Sequence, residues 1–228
     1  FVGSMGVIVQ LSEVSDGSMY DRTDPLNKAV IANRRRWLGA QNISLEQTTR
    51  LFITYDENNS YVSYRPLTAA DRGRGMEDGV IESADAIITT TPGHALFLPV
   101  ADCIATTLYD PDNQVLMLSH LGRQSLEKQG GVRSVEYLVE HYGSKPQNLQ
   151  VWTSPSINKD AYPIFKLDNK GMKEAFFEQL AQAGVVRENI YNHDGDTGSN
   201  DDFYSYSEFL KGNKPENGCH AMVAMMQL

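Results

Sequence analysis

The chain has 228 residues, of which 41% are hydrophobic and 21% charged, a composition that is typical of a globular protein and excludes a largely disordered one. Its 20 Lys and Arg residues stand against 29 Asp and Glu residues, and the net charge of −9 argues against binding to nucleic acid or to an anionic membrane. Two cysteines are too few for a disulfide framework, and no apolar run has the length of a membrane span, so the sequence predicts a reduced, cytoplasmic protein.

The domain organisation is predicted to be simple. Neither an internal repeat nor a low-complexity linker divides the chain, so residues 5–228 are expected to form one domain. Residues 1–4 are interpreted as a scar left by expression, with Met5 as the natural start, and they take no part in the fold prediction.

The first third of the chain is predicted to hold short strands around one helix. Asp24 and Pro25 supply an N-cap and a first-turn proline, and apolar residues recur at helical spacing as far as Gly39. Strands are predicted over 5–11, 50–55 and 61–64.

The remainder combines apolar strands with two helices. Near-continuous apolar runs predict strands that are covered on both faces, and residues 110–113 have the composition of a tight turn between two of them. The predicted strands are 84–91, 95–101, 104–109, 115–118, 149–152 and 220–228, and the predicted helices are 131–142 and 170–183. Because strands and helices do not alternate strictly, the predicted class is α+β, a single layered α/β sandwich with helices packed on a mixed sheet.

Cys103 and His120 are the most informative candidates for chemistry. Cys103 lies at a break between two predicted strands, and His120 lies at the end of the next strand. The turn at 110–113 pairs these strands, so their far ends and both side chains are expected to meet. A neighbouring Cys and His suit a thiolate nucleophile or a transition-metal site, whereas a plain core cysteine is the alternative.

Two further residues have both a functional and a structural interpretation. Asp102, next to Cys103, is a candidate for orienting a ligand or binding ribose, or for a structural hydrogen bond at a strand end. Arg34 is a candidate for binding phosphate or substrate, with a solvated helix end as the alternative.

The order of these residues resembles the laccase-domain family, whose members are also described as polyphenol oxidoreductases or purine nucleoside phosphorylases. The likeness is carried by Ala101-Asp-Cys103, followed after a turn and an apolar strand by His120-Leu-Gly122. Further matching segments are Asn33-Arg34, Ala84-Asp85-Ala86, residues 89–93, Ser154-Pro-Ser156, Phe203-Tyr-Ser-Tyr206 and Gly218.

The resemblance implies a fold, an activity and a metal. The implied fold is a layered domain related to the cytotoxic-necrotising-factor deamidase. The implied activity is phosphorolysis of purine nucleosides, with adenosine deamination as a further activity. The implied metal is zinc, called copper in older descriptions, held by His, Cys and His. We assign catalysis to Cys103, His120 and Asp102, and substrate binding to Asn33, Arg34, Tyr55 and Arg123.

The sequence departs from the family pattern at the first metal ligand. Tyr55 stands at the position of that histidine, and no histidine precedes His94. A phenol is a poor zinc ligand at neutral pH, so weak or absent zinc is expected, with Tyr55 hydrogen-bonded towards His120 or Cys103. Cys219 or His220 would have to complete the ligand set if zinc does bind.

Three other positions differ as well. Arg123 replaces a tryptophan of the family pattern, and Ser207 and Cys219 each replace an arginine.

Three functions remain open at this point. The first is a purine nucleoside phosphorylase-type enzyme whose partners are a nucleoside and phosphate, acting as a monomer or homodimer. The second is a metal-free thiol hydrolase or amidase with Cys103 as nucleophile and His120 as base. The third is a non-catalytic relative that binds a ligand.

Overall fold

The computed structural model describes residues 6–56, 58–78 and 82–227, and the interpreted scar at residues 1–4 lies outside the described residues. Among the described residues the chain forms ten β-strands and five α-helices. In chain order they are β1 (Val7–Leu11), α1 (Lys28–Ala40), β2 (Thr48–Arg50), β3 (Tyr64–Pro66), β4 (Ala86–Thr89), β5 (Ala95–Val100), β6 (Ile104–Asp110), β7 (Val115–Leu121), α2 (Arg123–Glu127), α3 (Gly130–Tyr142), β8 (Gln150–Thr153), α4 (Met172–Gln182), β9 (Ile190–Tyr191), α5 (Tyr206–Leu210) and β10 (His220–Met226).

The strands form two mixed sheets. One sheet has four strands in the order β1-β10-β5-β2, and the other has six in the order β3-β4-β7-β6-β8-β9. Most neighbouring pairs are antiparallel, but β2 runs parallel to β5, β3 to β4 and β8 to β9. The predicted α+β class with helices packed on mixed sheets is therefore confirmed, with two sheets in place of one.

The two sheets pack face to face, with helices covering their outer faces. Leu96 and Leu98 of β5 contact the six-stranded sheet between the layers, whereas Phe97 points outward and packs with Trp37 of α1. On the opposite side, α3 and α4 cover the six-stranded sheet through residues such as Leu138 and Phe176. This four-layer arrangement explains the near-continuous apolar runs, because successive side chains of a strand enter different cores.

The first helix begins three residues later than the sequence predicts. The Asn27 side chain caps α1 by accepting hydrogen bonds from the backbone N–H groups of Ala29 and Val30, at 2.9 and 3.4 Å. Asp24, the predicted cap, instead accepts from the Leu26 N–H at 3.0 Å in a turn that precedes the helix. The prediction of Asp24 as the cap is wrong because this local turn already uses its carboxylate.

The predicted strand at 50–55 is also misplaced, and the difference affects the site. The paired strand β2 covers Thr48–Arg50, and the following residues diverge from β5. Tyr55 consequently lies beyond the edge of the four-stranded sheet, from where its hydroxyl reaches His120 of the other sheet.

No helix among the described residues is long and apolar enough to cross a membrane.

Candidate functional site

The central hairpin of the six-stranded sheet brings Cys103 and His120 to one end. In the antiparallel register of β6 and β7, Ile104 pairs with Leu121 and Ala105 pairs with His120. The turn at the opposite end is stabilised by Asp110, whose carboxylate accepts from the backbone N–H groups of Asp112 and Asn113. Cys103, just before β6, and His120, near the end of β7, therefore share one sheet end, as the sequence predicts.

Gly122 shows how closely the two side chains approach. A Cβ atom built on Gly122 would lie 2.8 Å from Cys103 Sγ and 2.9 Å from His120 Cε1. The side chains of Cys103 and His120 therefore both pack against the backbone of Gly122. Any residue with a side chain at this position would displace them.

Tyr55 completes a cluster of three side chains. Its hydroxyl oxygen lies 3.2 Å from His120 Nε2, and the two rings meet edge to face with centroids 5.8 Å apart. Tyr55 also interacts with the Cys103 thiol, whose pKa it lowers slightly against the larger effect of burial. The expected hydrogen bond from Tyr55 towards His120 is thus present, although much of the Tyr55 surface remains exposed.

Burial keeps all three groups of the cluster neutral at neutral pH. It raises the pKa of the Cys103 thiol to about 12, an effect that the nearby Asp102 carboxylate reinforces. Burial lowers the pKa of His120 to about 4. It also raises the pKa of Tyr55 well above its usual value, because the hydroxyl end of the side chain is enclosed although the remainder is exposed.

Asp102 fixes the backbone turn that presents Cys103. Its φ of 82° lies in the left-handed region, and its carboxylate accepts hydrogen bonds from Thr197 Oγ1 and from the Ser207 N–H, both at 2.7 Å. These contacts correspond to the structural interpretation of Asp102. The residue joins the turn before β6 to the segment before α5, and its role in catalysis stays a prediction.

A cavity of about 770 Å³ opens beside this cluster, lined by Tyr55 and Cys103, whereas the buried His120 lies behind them and is not among the lining residues. It lies within the usual size range of small-molecule sites, and its walls carry several aromatic rings beside polar groups. The aromatic residues that line it are Tyr20, Phe52, Tyr55, Tyr162 and Tyr206, and the charged ones are Arg22, Arg50, Asp102, Arg123 and Lys211.

Asn33 and Arg34 do not line the cavity, contrary to their assignment as substrate-binding residues. Arg34 is 1% exposed, and its guanidinium donates to the carbonyl oxygens of Met19 and Met76, each at 2.8 Å. The Asn33 amide donates to the Ser18 carbonyl oxygen at 3.0 Å. Both residues connect α1 to neighbouring loops through these hydrogen bonds. They lie on faces of the helix that do not line the cavity.

Arg123 lies on the cavity wall, as a substrate-binding role requires. Its Nε donates to the Tyr162 hydroxyl at 3.2 Å, and its Nη1 forms an ion pair with Glu127 at 3.4 Å. Arg123 therefore shares the Glu127 carboxylate with Lys166, whose Nζ lies 3.2 Å from its other oxygen.

The two C-terminal candidate ligands face different ways. Cys219 lines the cavity, whereas His220 is fully buried against the ring of Phe203, with centroids 5.3 Å apart. Successive residues of an extended chain point to opposite sides, so His220 does not reach the Cys103–His120 pair. The role of His220 as a ligand that completes the metal site does not agree with this placement.

Comparison with known proteins supplies the family. The model of the multi-copper polyphenol oxidoreductase laccase family matches residues 18–178. The chain belongs to this laccase-domain family. The resemblance inferred from the sequence is confirmed.

Several relatives carry the name purine nucleoside phosphorylase. One from Corynebacterium glutamicum is 36% identical over 138 residues, which cover 60% of this chain and 52% of the relative. One from Deinococcus radiodurans is 32% identical over 80 residues, covering 35% of this chain and 31% of the relative. The matched part of this chain therefore spans about a third to a half of the length of these two relatives.

Solved structures share the fold. YlmD from Geobacillus stearothermophilus superposes with a TM-score of 0.83 at 21% identity, covering 98% of this chain and 93% of that one. The hypothetical protein YfiH of Bacillus licheniformis gives a TM-score of 0.80 at 17% identity, covering 97% and 93%. At these identities the likeness concerns the fold.

The zinc that the laccase-domain family implies does not fit the side chains present. No group of three or more His, Cys, Asp and Glu side chains suited to a metal lies within residues 6–56, 58–78 and 82–227. The third member of the cluster is the Tyr55 phenol, which holds its proton. His120 Nδ1 is buried with no hydrogen-bond partner among the described residues, whereas a ligating imidazole normally donates its second N–H to an acceptor.

Sequence reasoning missed two cavity residues, Arg22 and Arg50. Arg22 lies in a loop before α1, and Arg50 ends a short strand, so neither belongs to a motif. Arg50 offers one weak signal, because a charged residue at the end of the buried segment β2 needs a specific partner or ligand.

Proposed function

We propose that this laccase-domain protein binds a purine nucleoside in the cavity lined by Cys103 and Tyr55, with His120 in contact behind Tyr55, and cleaves it with phosphate. The observation that carries the proposal is the cavity itself, which combines aromatic walls with the polar cluster at the sheet end. Aromatic rings stack on purine bases, and a volume of about 770 Å³ accommodates a nucleoside together with a small anion. The names of the relatives from Corynebacterium and Deinococcus support the same reaction class.

The proposed reaction is a substitution at C1′ of the ribose. An oxygen of hydrogen phosphate forms a bond to C1′ while the bond from C1′ to the purine nitrogen breaks, and that bond's electron pair goes to the purine. The proton of hydrogen phosphate ends on the released base, so the products are a neutral purine and ribose 1-phosphate. The polar cluster offers hydrogen bonds to the departing purine.

The thiol hydrolase draws less support from the geometry. An activated cysteine needs a thiolate beside an imidazolium, but burial favours the neutral forms of Cys103 and His120. Adenosine deamination, which the family resemblance also implies, stays a second outcome of the same assay.

The test is phosphate-dependent release of purine base from inosine, guanosine and adenosine, followed by chromatography. We expect release to require phosphate and to fall at least about 100-fold in His120→Ala and Cys103→Ser. In Tyr55→Phe the rate of base release should fall less, about 10-fold, because this substitution removes one hydrogen bond. Tyr191→Phe is the matched control, since Tyr191 is similarly exposed but stacks on Trp152 away from the cavity.

Three other outcomes each have a distinct meaning. Release of inosine from adenosine without phosphate would indicate deamination. Nucleoside binding without any turnover would indicate the non-catalytic relative. If no base is released from any of the three nucleosides at saturating phosphate, phosphorolysis is wrong.

A further inference from the structure

The cavity carries more positive than negative charge although the protein is acidic. Four cationic side chains line it, namely Arg22, Arg50, Arg123 and Lys211, and Asp102 is the carboxylate among the lining residues. The whole chain has a net charge of −9, so this local excess runs against its average. A cleft with one sign of charge and low-dielectric walls concentrates ligands of the opposite sign.

Two of the four cations already form salt bridges. Arg123 pairs with Glu127 at 3.4 Å, and Lys211 pairs with Glu208 at 2.7 Å. The Asp102 carboxylate accepts hydrogen bonds from Thr197 and the Ser207 N–H and forms no salt bridge with Arg22 or Arg50 among the described residues.

Arg22 has only neutral partners in the described part of the chain. Its Nη1 donates to Asn217 Oδ1 at 2.5 Å, and its Cζ lies 4.5 Å from the centroid of the Tyr206 ring. The amide and the ring hold the guanidinium at the cavity wall, where it forms no salt bridge among the described residues.

Arg50 has neutral hydrogen-bond and ring partners, and the negative charge acting on it comes from the Asp78 carboxylate, with which it forms no salt bridge among the described residues. Its side chain is almost fully buried, its Nε donates to the Gly75 carbonyl oxygen at 2.6 Å, and its Cζ lies 5.1 Å from the Tyr20 ring and 5.7 Å from the Phe52 ring. Among the described residues, none of the salt bridges involves Arg22 or Arg50. A buried guanidinium without a carboxylate is costly unless an anion binds there.

We propose that Arg22 and Arg50 form a phosphate-binding subsite of this cavity. Guanidinium groups match the oxygens of phosphate in geometry and charge, and fixed side chains lose little entropy on binding. The inference rests on the proposed function, since it assigns the binding site of the phosphate.

The phosphate group has two chemical sources, inorganic phosphate and the 5′-phosphate of a purine nucleotide. Calorimetric titration of the full chain with inorganic phosphate and with inosine 5′-monophosphate separates them. We expect at least one of the two to bind, with a Kd that rises as chloride is added. Tighter binding of inosine 5′-monophosphate than of both inosine and inorganic phosphate would identify the nucleotide as the source.

Substitutions locate the subsite. Arg22→Gln should weaken phosphate binding about 10- to 100-fold, the effect of losing a charge-assisted hydrogen bond, and Arg22→Lys should retain part of it. Arg72→Gln, which removes an exposed arginine outside the cavity, should leave the Kd unchanged. Because Arg50→Gln removes a buried contact, its folding is checked by circular dichroism and the conclusion depends on Arg22.

The outcomes separate this inference from the proposed function. Unchanged phosphate affinity in Arg22→Gln, or binding of neither ligand to the natural sequence, overturns the subsite. Phosphorolysis whose KM for phosphate is unaffected by Arg22→Gln also overturns the subsite and leaves the proposed function intact. Phosphate binding that depends on Arg22, without release of purine base, supports the subsite and contradicts the proposed phosphorolysis.

Discussion

Tyr55 is the residue that separates this site from the metal centre implied by the family. Its hydroxyl lies 3.2 Å from His120 Nε2 and interacts with the Cys103 thiol, so a phenol stands where the family pattern has a metal-binding histidine. Burial raises the pKa of the Tyr55 hydroxyl, so the phenol stays protonated at neutral pH. A protonated phenol is a poor ligand for zinc.

Replacing Tyr55 by histidine is therefore predicted to create a zinc site. After dialysis against a chelator, the natural sequence should retain little zinc, whereas Tyr55→His should retain about one zinc ion per chain, because three N and S ligands then converge. Elemental analysis gives the readout, and Tyr191→His controls for metal bound by a surface histidine.

Stoichiometric zinc in the dialysed natural protein would contradict this prediction. Its loss in Cys219→Ser would then identify Cys219, which lines the same cavity, as the third ligand.

At the scale of elements, the junction between β7 and α2 shapes the site. Gly122 follows the last residue of β7 and caps α2, and its missing side chain leaves room for Cys103 and His120. The junction is further fixed by Ser125, whose hydroxyl oxygen accepts from the Gly122 N–H at 3.0 Å. Strand, turn and helix thus hold two candidate catalytic groups against one backbone segment.

Gly122→Ala is predicted to disrupt the site. The added methyl group would lie within 3 Å of Cys103 Sγ and His120 Cε1, so these side chains must move, at a cost of about 1–3 kcal/mol in the free energy of unfolding. Denaturant titration measures that cost, and nucleoside binding should be weakened by more than the loss of stability explains.

Gly39→Ala is the matched control for this substitution. A Cβ on Gly39 meets no atom within 4 Å, and the residue lies in α1, so alanine should be neutral or slightly stabilising. Equal effects of the two substitutions would show that the close approach at Gly122 has no consequence.

At the scale of the whole molecule, the four layers bury histidines in neutral form. His94 is fully buried, with Nε2 2.8 Å from Thr49 Oγ1, and burial lowers its pKa to about 4. Burial also lowers the pKa of His220 to about 3, an effect to which the nearby His193 adds. Both residues resist protonation only as long as the protein stays folded.

The free energy of unfolding is predicted to fall as the pH drops from about 6.5 to 4. In this range the unfolded chain binds protons at His94, at His220 and at His120, whose pKa burial also lowers to about 4, and the folded protein binds fewer of them, so acid favours unfolding. A shift of one pKa unit corresponds to about 1.4 kcal/mol, so each of these histidines lowers the free energy of unfolding by on the order of 3 kcal/mol by pH 4.

Denaturant titration between pH 4 and pH 7 measures this dependence. His220→Met should flatten it, because an apolar side chain fits the same core without titrating. His141→Gln, at an exposed position, should not change it. The same pH slope in His220→Met and in the natural sequence would contradict the assignment.

Local and periodic signals predicted much of the fold. The apolar runs of β4 to β7 predicted strands covered on both faces, and the turn at Asp110 predicted the hairpin that joins Cys103 to His120. These predictions are confirmed because both signals, the apolar run of a strand covered on two faces and the composition of a tight turn, depend on residues adjacent in sequence. The α1 cap was misassigned because Asp24 and Asn27 are both good caps, and a local turn decided between them.

The sequence by itself determined the α+β class, the laccase-domain family and the pairing of Cys103 with His120, since each depends on residues in a fixed order along neighbouring segments. Only the tertiary structure decided the direction of Arg34, the separation of Cys219 from His220 and the gathering of Arg22 and Arg50 around one cavity. The physical reason is that a lone arginine carries no periodic signal. Its partners are backbone carbonyls, rings and loops distant in sequence, and the packing of two sheets and their helices fixes which of these it meets.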